Sequence, residues 1–212
     1  MLILWIDTVS KGCHVAIGDE FGIKAICSLD TERAQSEHII PLIDKAIKQA
    51  QISLNDIERI SVCCGPGSFT AVRVGLAVGR MLAQILNIPC IGFSQFDMAL
   101  TVIEAPKDNI YGIAIPSYNE VPYIQIFNNG KSLSQPTVTD KSLLKAENVA
   151  ILYIKQSISY FDDISLKKEF FYIDDSPALI HQVILKNIDI TNLLEYPATP
   201  LYIQPIAVIS KN

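Results

Sequence analysis

The sequence is short of the side chains that most enzyme chemistry requires. It has three histidines, His14, His38 and His181. None lies within helical reach of another, which excludes a closely spaced histidine pair holding a metal on a helix. The five cysteines (Cys13, Cys27, Cys63, Cys64, Cys90) are odd in number and show no Cys-x-x-Cys spacing, so buried, reduced thiols in a cytoplasmic protein are expected. Charged residues make up only 18% of 212 residues, the net charge is −5, and lysine and arginine form no cluster. A chain with that balance does not grip a nucleic-acid backbone by itself. No apolar run reaches the ~20 residues of a membrane span, and the N-terminus carries no basic segment or cleavage site of a secreted precursor. Yet 50% of the residues are hydrophobic. That surplus points to a sizeable core plus an exposed apolar docking patch.

The most informative stretch is Gly65-Pro66-Gly67-Ser68-Phe69-Thr70-Ala71-Val72-Arg73-Val74-Gly75. It follows an apolar run, Ile57 to Cys64, that reads as a strand, and it opens an apolar helix ending near Leu86. A strand, a glycine turn and a helix N-terminus bring free backbone N–H groups together. Such a site either binds an anion or lets two backbones approach closely. The loop has no lysine for a Walker motif, Thr70 stands where a dinucleotide fingerprint needs glycine, and Pro66 and Thr70 occupy the glycine positions of a nucleophile elbow. A tight turn with Ser68 or Thr70 capping the helix remains.

At 100° per residue the helix carries a row of small side chains, Ala71, Gly75, Gly79 and Ala83. Val72, Val74, Leu76, Val78, Met81, Leu82, Ile85 and Leu86 cover most of the remaining circumference, and only Arg73, Arg80 and Gln84 form a polar stripe. A helix this apolar either lies wholly within its own domain or packs partly against a partner.

Strands are expected at Leu2–Asp7, Cys13–Gly18, Ile23–Leu29 and Cys90–Phe93, with a hairpin turn at Asp19-Glu20-Phe21-Gly22. An amphipathic helix is expected at Ile39–Gln51, with Ile39, Ile40, Ile43, Ala46, Ile47 and Ala50 on one face and Pro41 in its first turn or kinking it. A short helix should start at Ser94. In the second half, Ile110–Ile115 and Tyr123–Phe127 read as paired strands, Asn128-Asn129-Gly130 as a turn, and Val149–Ile154 and Phe170–Ile173 as further strands. A helix over Ala178–Leu185 follows Ser176-Pro177. The pattern breaks near residues 100–108, which suggests lobes at 1–103 and 104–212, and no sequence repeat is evident. Strands alternating with helices make a mixed α/β chain.

The loop GPGSFTAVRVG after a strand, the opening strand ending in Asp7-Thr8, and Ser36-Glu37 leading into Ile39-Ile40-Pro41 resemble the TsaB family of bacterial tRNA threonylcarbamoyladenosine biosynthesis proteins. The resemblance covers residues 1–100 well and the remainder weakly. It implies an actin-like ATPase fold (the ribonuclease H-like class) with two related lobes of mixed sheets flanked by helices. It also implies a non-catalytic subunit that forms a heterodimer with its catalytic paralogue TsaD and, with TsaE, supports threonylcarbamoylation of adenosine 37 in tRNAs reading codons that start with A. Contact with tRNA would then come through the complex only, and the free chain would homodimerise through the same patch. The docking residues it implies are Ile39, Ile43 and Ile47 with Ala71, Val72, Arg73, Gly75, Leu76, Gly79, Arg80, Leu82 and Ala83. Asp7, Thr8, Gly65, Gly67, Ser68 and Thr70 are the nucleotide-adjacent set, with ATP or ADP and magnesium at the interface of the complex and no cofactor of the chain's own.

Four features depart from the family pattern, one being a second-lobe glycine-acid turn that is not evident near Ile154. Ala71 replaces the last loop glycine, Ile115-Pro116-Ser117 ahead of Glu120-Val121 replaces an Asp-Ala-Arg, and Gln204 stands in place of an arginine after Tyr202. Asp7 sits where actin-like ATPases keep a carboxylate for magnesium-bound phosphates, but the turns that cradle those phosphates are missing from Thr8-Val9-Ser10-Lys11-Gly12. Turn or cap hydrogen bonds are the expected work of Asp7. No catalytic or metal-ligating set is found. The alternative is a stand-alone nucleotide-dependent phosphotransferase or hydrolase of the actin-like class, using Asp7, Ser68 and Thr70.

Overall fold

In a computed structural model of the chain, residues 1–10, 12–30, 35–104, 106–117, 121–139, 144–145, 147–155, 159–163, 165–171, 177–192, 194 and 197–203 are described. The chain divides into two compact units, Met1–Thr101 with Ile173–Leu201, and Val102–Tyr172 with Tyr202–Asn212.

The first unit is built on strands β1 (Ile3–Asp7), β2 (Cys13–Asp19), β3 (Gly22–Leu29), β4 (Arg59–Cys63) and β5 (Cys90–Phe93), in the order β3-β2-β1-β4-β5. β1, β4 and β5 run parallel, and β2 and β3 form an antiparallel hairpin on β1. All five residues of β1 are buried because both faces of the sheet are covered. Leu4 and Ile6 join the core under helices α1 (Gln35–Ala50) and α2 (Phe69–Leu86), while Ile3 and Trp5 join the opposite core. That second core is closed by Met98 of α3 (Gln95–Val102) and by Ile180, Val183 and Ile184 of α4 (Pro177–Ile188). The lobe boundary therefore differs from the one expected at residue 103. The segment carrying α4 returns to the first unit because its apolar face covers the side of the sheet that α1 and α2 leave open.

The return is latched by polar bonds. The buried Arg59 guanidinium donates to the carbonyls of Asn187 and Ile190 at the C-terminal end of α4. The Ser61 hydroxyl donates to Asn187 Oδ1 at 2.7 Å. A helix C-terminus is a favourable place for a cation that has left water.

α1 begins four residues before the expected Ile39, which leaves Pro41 inside the helix. Pro41 is exposed, on the outer side, where water can satisfy the Glu37 carbonyl that proline, lacking an N–H, leaves without a donor. The buried face is Ile39, Leu42, Ile43 and Ala46, whereas Ile40 is 46% exposed and leaves the face assigned to it. α2 has the expected extent. Among the described residues it is the one helix long and apolar enough to cross a membrane. Seven of its residues are nevertheless buried, and it packs against β4, β1 and β5 as a sheet-covering helix.

The second unit contains β6 (Ile110–Ile115), β7 (Tyr123–Asn128), β8 (Lys131–Ser132), β9 (Thr137–Val138), β10 (Ile151–Lys155) and β11 (Lys167–Phe171). The sheet order is β11-β10-β6-β7-β8, with β9 also on β7. β6 and β7 are antiparallel, and β10 is parallel to both β6 and β11. Read from its first strand, this sheet follows the plan of the first one: a hairpin on one side of the leading strand and two parallel strands on the other. The expected strand end at Ile173, the helix start at Ser176 and the positions Glu120 and Gln204 lie outside the described residues.

Candidate functional site: a glycine loop and the outer face of a helix

The loop after β4 is held from three directions. The Gln95 amide N–H donates to Gly65 O at 2.8 Å, and Gln95 Nε2 donates to Pro66 O. The Leu201 N–H donates to Cys64 O at 2.8 Å. Gly65 has φ +113°, a left-handed conformation that favours glycine. A Cβ on Gly67 would run into the Val9 side chain, so the β1–β2 turn lies directly on the loop. Of the two readings of the glycine turn, the isolated chain shows close backbone approach. Ser68 is the N-cap residue of α2, but its side chain makes no cap bond, and Thr70 is an exposed residue of the first turn. Ala71 lies within the helix, so the replaced glycine imposes no left-handed strain here.

Asp7 does the turn work expected of it. It is 1% exposed, and its Oδ1 accepts the N–H groups of Val9 at 2.7 Å and Ser10 at 3.0 Å. Its Oδ2 is buried without a hydrogen-bond partner. The neighbouring Thr8 hydroxyl donates to Ala71 O at 2.6 Å, tying the turn to the start of α2. An orphaned carboxylate oxygen would suit a magnesium-bound phosphate, but the rest of the site does not. Val9 fills the space over Gly67 and Thr8 is committed to the helix, so these residues do not form a nucleotide cradle within this chain.

The small-residue row of α2 faces the chain's own sheet. A Cβ on Gly75 would lie 2.6 Å from Thr8 Oγ1, and one on Gly79 would meet Val62 Cγ2. Ala71, Val72, Gly75, Leu76, Gly79, Leu82 and Ala83, all expected at a partner contact, are buried in the first unit. Ile39 and Ile43 are buried too, and Ile47 is half-buried. Within this chain these residues serve packing: the glycines let the helix sit close on β1 and β4.

What α2 presents to solvent is a different set. Ile85 is 69% exposed, Met81 48% and Phe69 36%. Ala77 is exposed, and Val74 and Val78 are half-buried. Arg73 and Arg80 are exposed as expected, and the Arg73 guanidinium stacks 3.7 Å over the Phe69 ring. The outer face is therefore half polar stripe and half apolar sector. Beyond its C-terminal end lies an open groove of about 620 Å³, lined by Arg80, Gln84, Asn87, Cys90 and Thr199 among others.

Cys13, Cys64 and Cys90 are not activated as nucleophiles. Burial pushes the Cys64 thiol up to about 12, helped by Asp97, and Cys13 to about 11, helped by Asp7. Cys90 also rises to about 11 through burial, partly offset by Arg80. Thiols of this kind are inert. Among the described residues no group of three His, Cys, Asp or Glu side chains could hold a metal ion. The His181 ring Nε2 lies 3.3 Å from Asp19 O, and His14 Nδ1 lies 3.1 Å from Ser28 Oγ.

The residues that sequence reasoning missed are Val9, Gln95 and Leu201, which fix the loop, and the Arg59–Asn187 latch. Only Ser94 with Asp97, a capping pair at the start of α3, left a local signal near Gln95.

The family model described as "TsaD: tRNA N6-adenosine threonylcarbamoyltransferase" matches residues 27–111. The chain is 35% identical to the tRNA threonylcarbamoyladenosine biosynthesis protein TsaB of Escherichia coli K12 over 94 residues, 44% of this chain and 40% of that protein. It thus spans less than half the length of that relative. Over 199 residues it is 26% identical to the TsaB protein of Buchnera aphidicola from Baizongia pistaciae, 90% of this chain and 82% of that one. A solved Pseudomonas aeruginosa protein, described as similar to peptidase YEAZ, superposes with TM-score 0.70 at 17% identity, over 96% of this chain and 99% of the other. A Bacteroides thetaiotaomicron protein with an actin-like ATPase fold gives TM-score 0.51 at 8% identity, over 87% and 95%. The fold is the actin-like ATPase fold, with two mixed sheets flanked by helices.

Proposed function

We propose that the chain is a TsaB-type protein, a non-catalytic scaffold and activator for tRNA threonylcarbamoylation. It docks on the catalytic paralogue TsaD in the cytoplasm. With TsaE, the pair modifies adenosine 37 of tRNAs reading codons that start with A. The observation that carries this reading is the apolar outer sector of α2, where Met81 and Ile85 stand 48% and 69% exposed while the inner face is already spent on the sheet. Apolar side chains in that density are covered in a working assembly, by TsaD or, in the free chain, by a second copy. With a net charge of −5 the chain leaves tRNA contact to its partners.

Light scattering of this chain mixed with its cognate TsaD tests the reading. The double variant Met81→Asp, Ile85→Asp alters only exposed positions and is expected to fold as the wild type does, within about 0.5 kcal/mol, yet to lose the heterodimer. Wild-type association in the double variant overturns the docking surface. Bulky residues at Gly75 or Gly79 do not serve as this test, because both glycines are buried against the sheet.

The unpartnered Oδ2 of Asp7 favours the second reading, a nucleotide-dependent enzyme. Calorimetry with ATP and magnesium on the isolated chain separates the two. The scaffold reading expects no saturable heat, and tight binding with turnover overturns it.

A further inference from the structure

The stretch Pro197–Leu201 lies against the first sheet, more than 100 residues after the glycine loop in the chain. Pro197 makes an antiparallel bridge with Ile91 at the free edge of β5. The Thr199 N–H turns back onto Pro197 O at 2.7 Å, and the Leu201 N–H reaches Cys64 O at 2.8 Å, one residue before Gly65. Ala198 and Leu201 pack on the core beneath α1 and α2. Two glycines mark the path. A Cβ on Gly92 would lie 2.5 Å from Pro197 O and 3.3 Å from Ala198 Cα, and a Cβ on Gly65 would lie 3.0 Å from Leu201 O. A backbone that displaces Cβ atoms at two separate positions is seated on a surface shaped for it.

We infer that Pro197–Leu201 is a brace that sets the glycine loop, and through it the first turn of α2, in the conformation that the partner binds. The brace and Gln95 hold successive backbone carbonyls, Cys64 by Leu201 and then Gly65 and Pro66 by Gln95. The loop in turn carries Ser68 and the exposed Phe69–Arg73 stack. Leu201 and Gln95 are thus positioning residues for the N-terminal end of the docking helix and touch no substrate. This inference rests on the docking reading above.

The test uses three variants of the full chain with hydrogen exchange over residues 62–72 and the affinity for TsaD. Leu201→Pro removes the N–H given to Cys64 O. Gly92→Val pushes the brace off the sheet edge. Leu201→Ala keeps the N–H and trims only packing. The first two are expected to speed loop exchange and weaken association about tenfold, the size of one lost positioning bond at an interface. Leu201→Ala is expected to keep near wild-type affinity. If Gly92→Val does not fold, Leu201→Pro decides. Unchanged affinity in Leu201→Pro, whether or not the loop exchanges faster, overturns the inference, and so does an equal loss in Leu201→Ala. A wild-type chain that fails to bind TsaD at all is a different result: it removes the docking reading, and this inference with it.

Discussion

Burial sets the acid–base behaviour of the cysteines, and the direction can be measured. The folded pKa values of Cys13, Cys64 and Cys90 stand above the unfolded value, at about 11, 12 and 11. Their contribution to stability is complete below the unfolded pKa, about 8.5. It is lost as pH rises through 11 to 12, because the unfolded chain gives up these protons first. Urea midpoints should therefore hold to about pH 8.5 and fall above it. At pH 8, alkylation of native Cys13 and Cys64 should await unfolding, since burial cuts the thiolate fraction from about a quarter to about one in a thousand for Cys13 and about one in ten thousand for Cys64. Fast labelling of both thiols in the native chain would contradict their placement. Gly79 offers a second check at this scale. Gly79→Leu inserts a side chain where Val62 already packs, and overpacking should cost roughly 1–3 kcal/mol. The loss should appear in the chain alone, followed by the fluorescence of Trp5, its single tryptophan.

Helix α2 shows what a sequence pattern carries and what it leaves out. Its limits, its small-residue row and its polar stripe are all legible, because each depends on residues three or four apart. The direction of the row is not. Periodicity defines the faces of a helix but not what covers them, and Gly75 and Gly79 would mark close approach to a partner or to a sheet alike. The first turn of α1 was illegible for a similar reason: Pro41 reads as a first-turn or kinking residue, and only the exposed placement of its outer side lets the helix run through it. The loop's anchors were invisible because Val9, Gln95 and Leu201 come from three distant parts of the chain. Pro41 also yields a prediction. Its ring denies the helix one hydrogen bond, to the carbonyl of Glu37, at an exposed site with no buried contact to lose. Pro41→Ala should raise stability by roughly 1–3 kcal/mol. Thermal unfolding checks it, and a destabilised variant would mean that the proline sets the helix path.

Both sheets follow one plan although no sequence repeat is detectable, which is how two lobes diverge when only the alternation of buried positions must persist. The fold class was legible in the order of strands and helices. The division into units was not, because the link between Arg59 and Asn187 spans 128 residues. The first lobe consequently depends on a segment encoded after the second. Without Pro177–Leu201, the core of Ile3, Trp5, Phe93 and Met98 would lose Ile180, Val183 and Ile184. Arg59 would lose the helix end that accepts its bonds, and the edge of β5 would lie open. Three buried aliphatic side chains at about 1.5–3 kcal/mol each approach the whole stability of a small domain. A fragment of residues 1–103 should then be expanded, bind hydrophobic dye and lack cooperative unfolding. The same fragment joined through a flexible linker to residues 177–203 should regain a cooperative transition reported by Trp5. Cooperative unfolding of the shorter fragment would show that α4 and the brace decorate the first lobe without completing it.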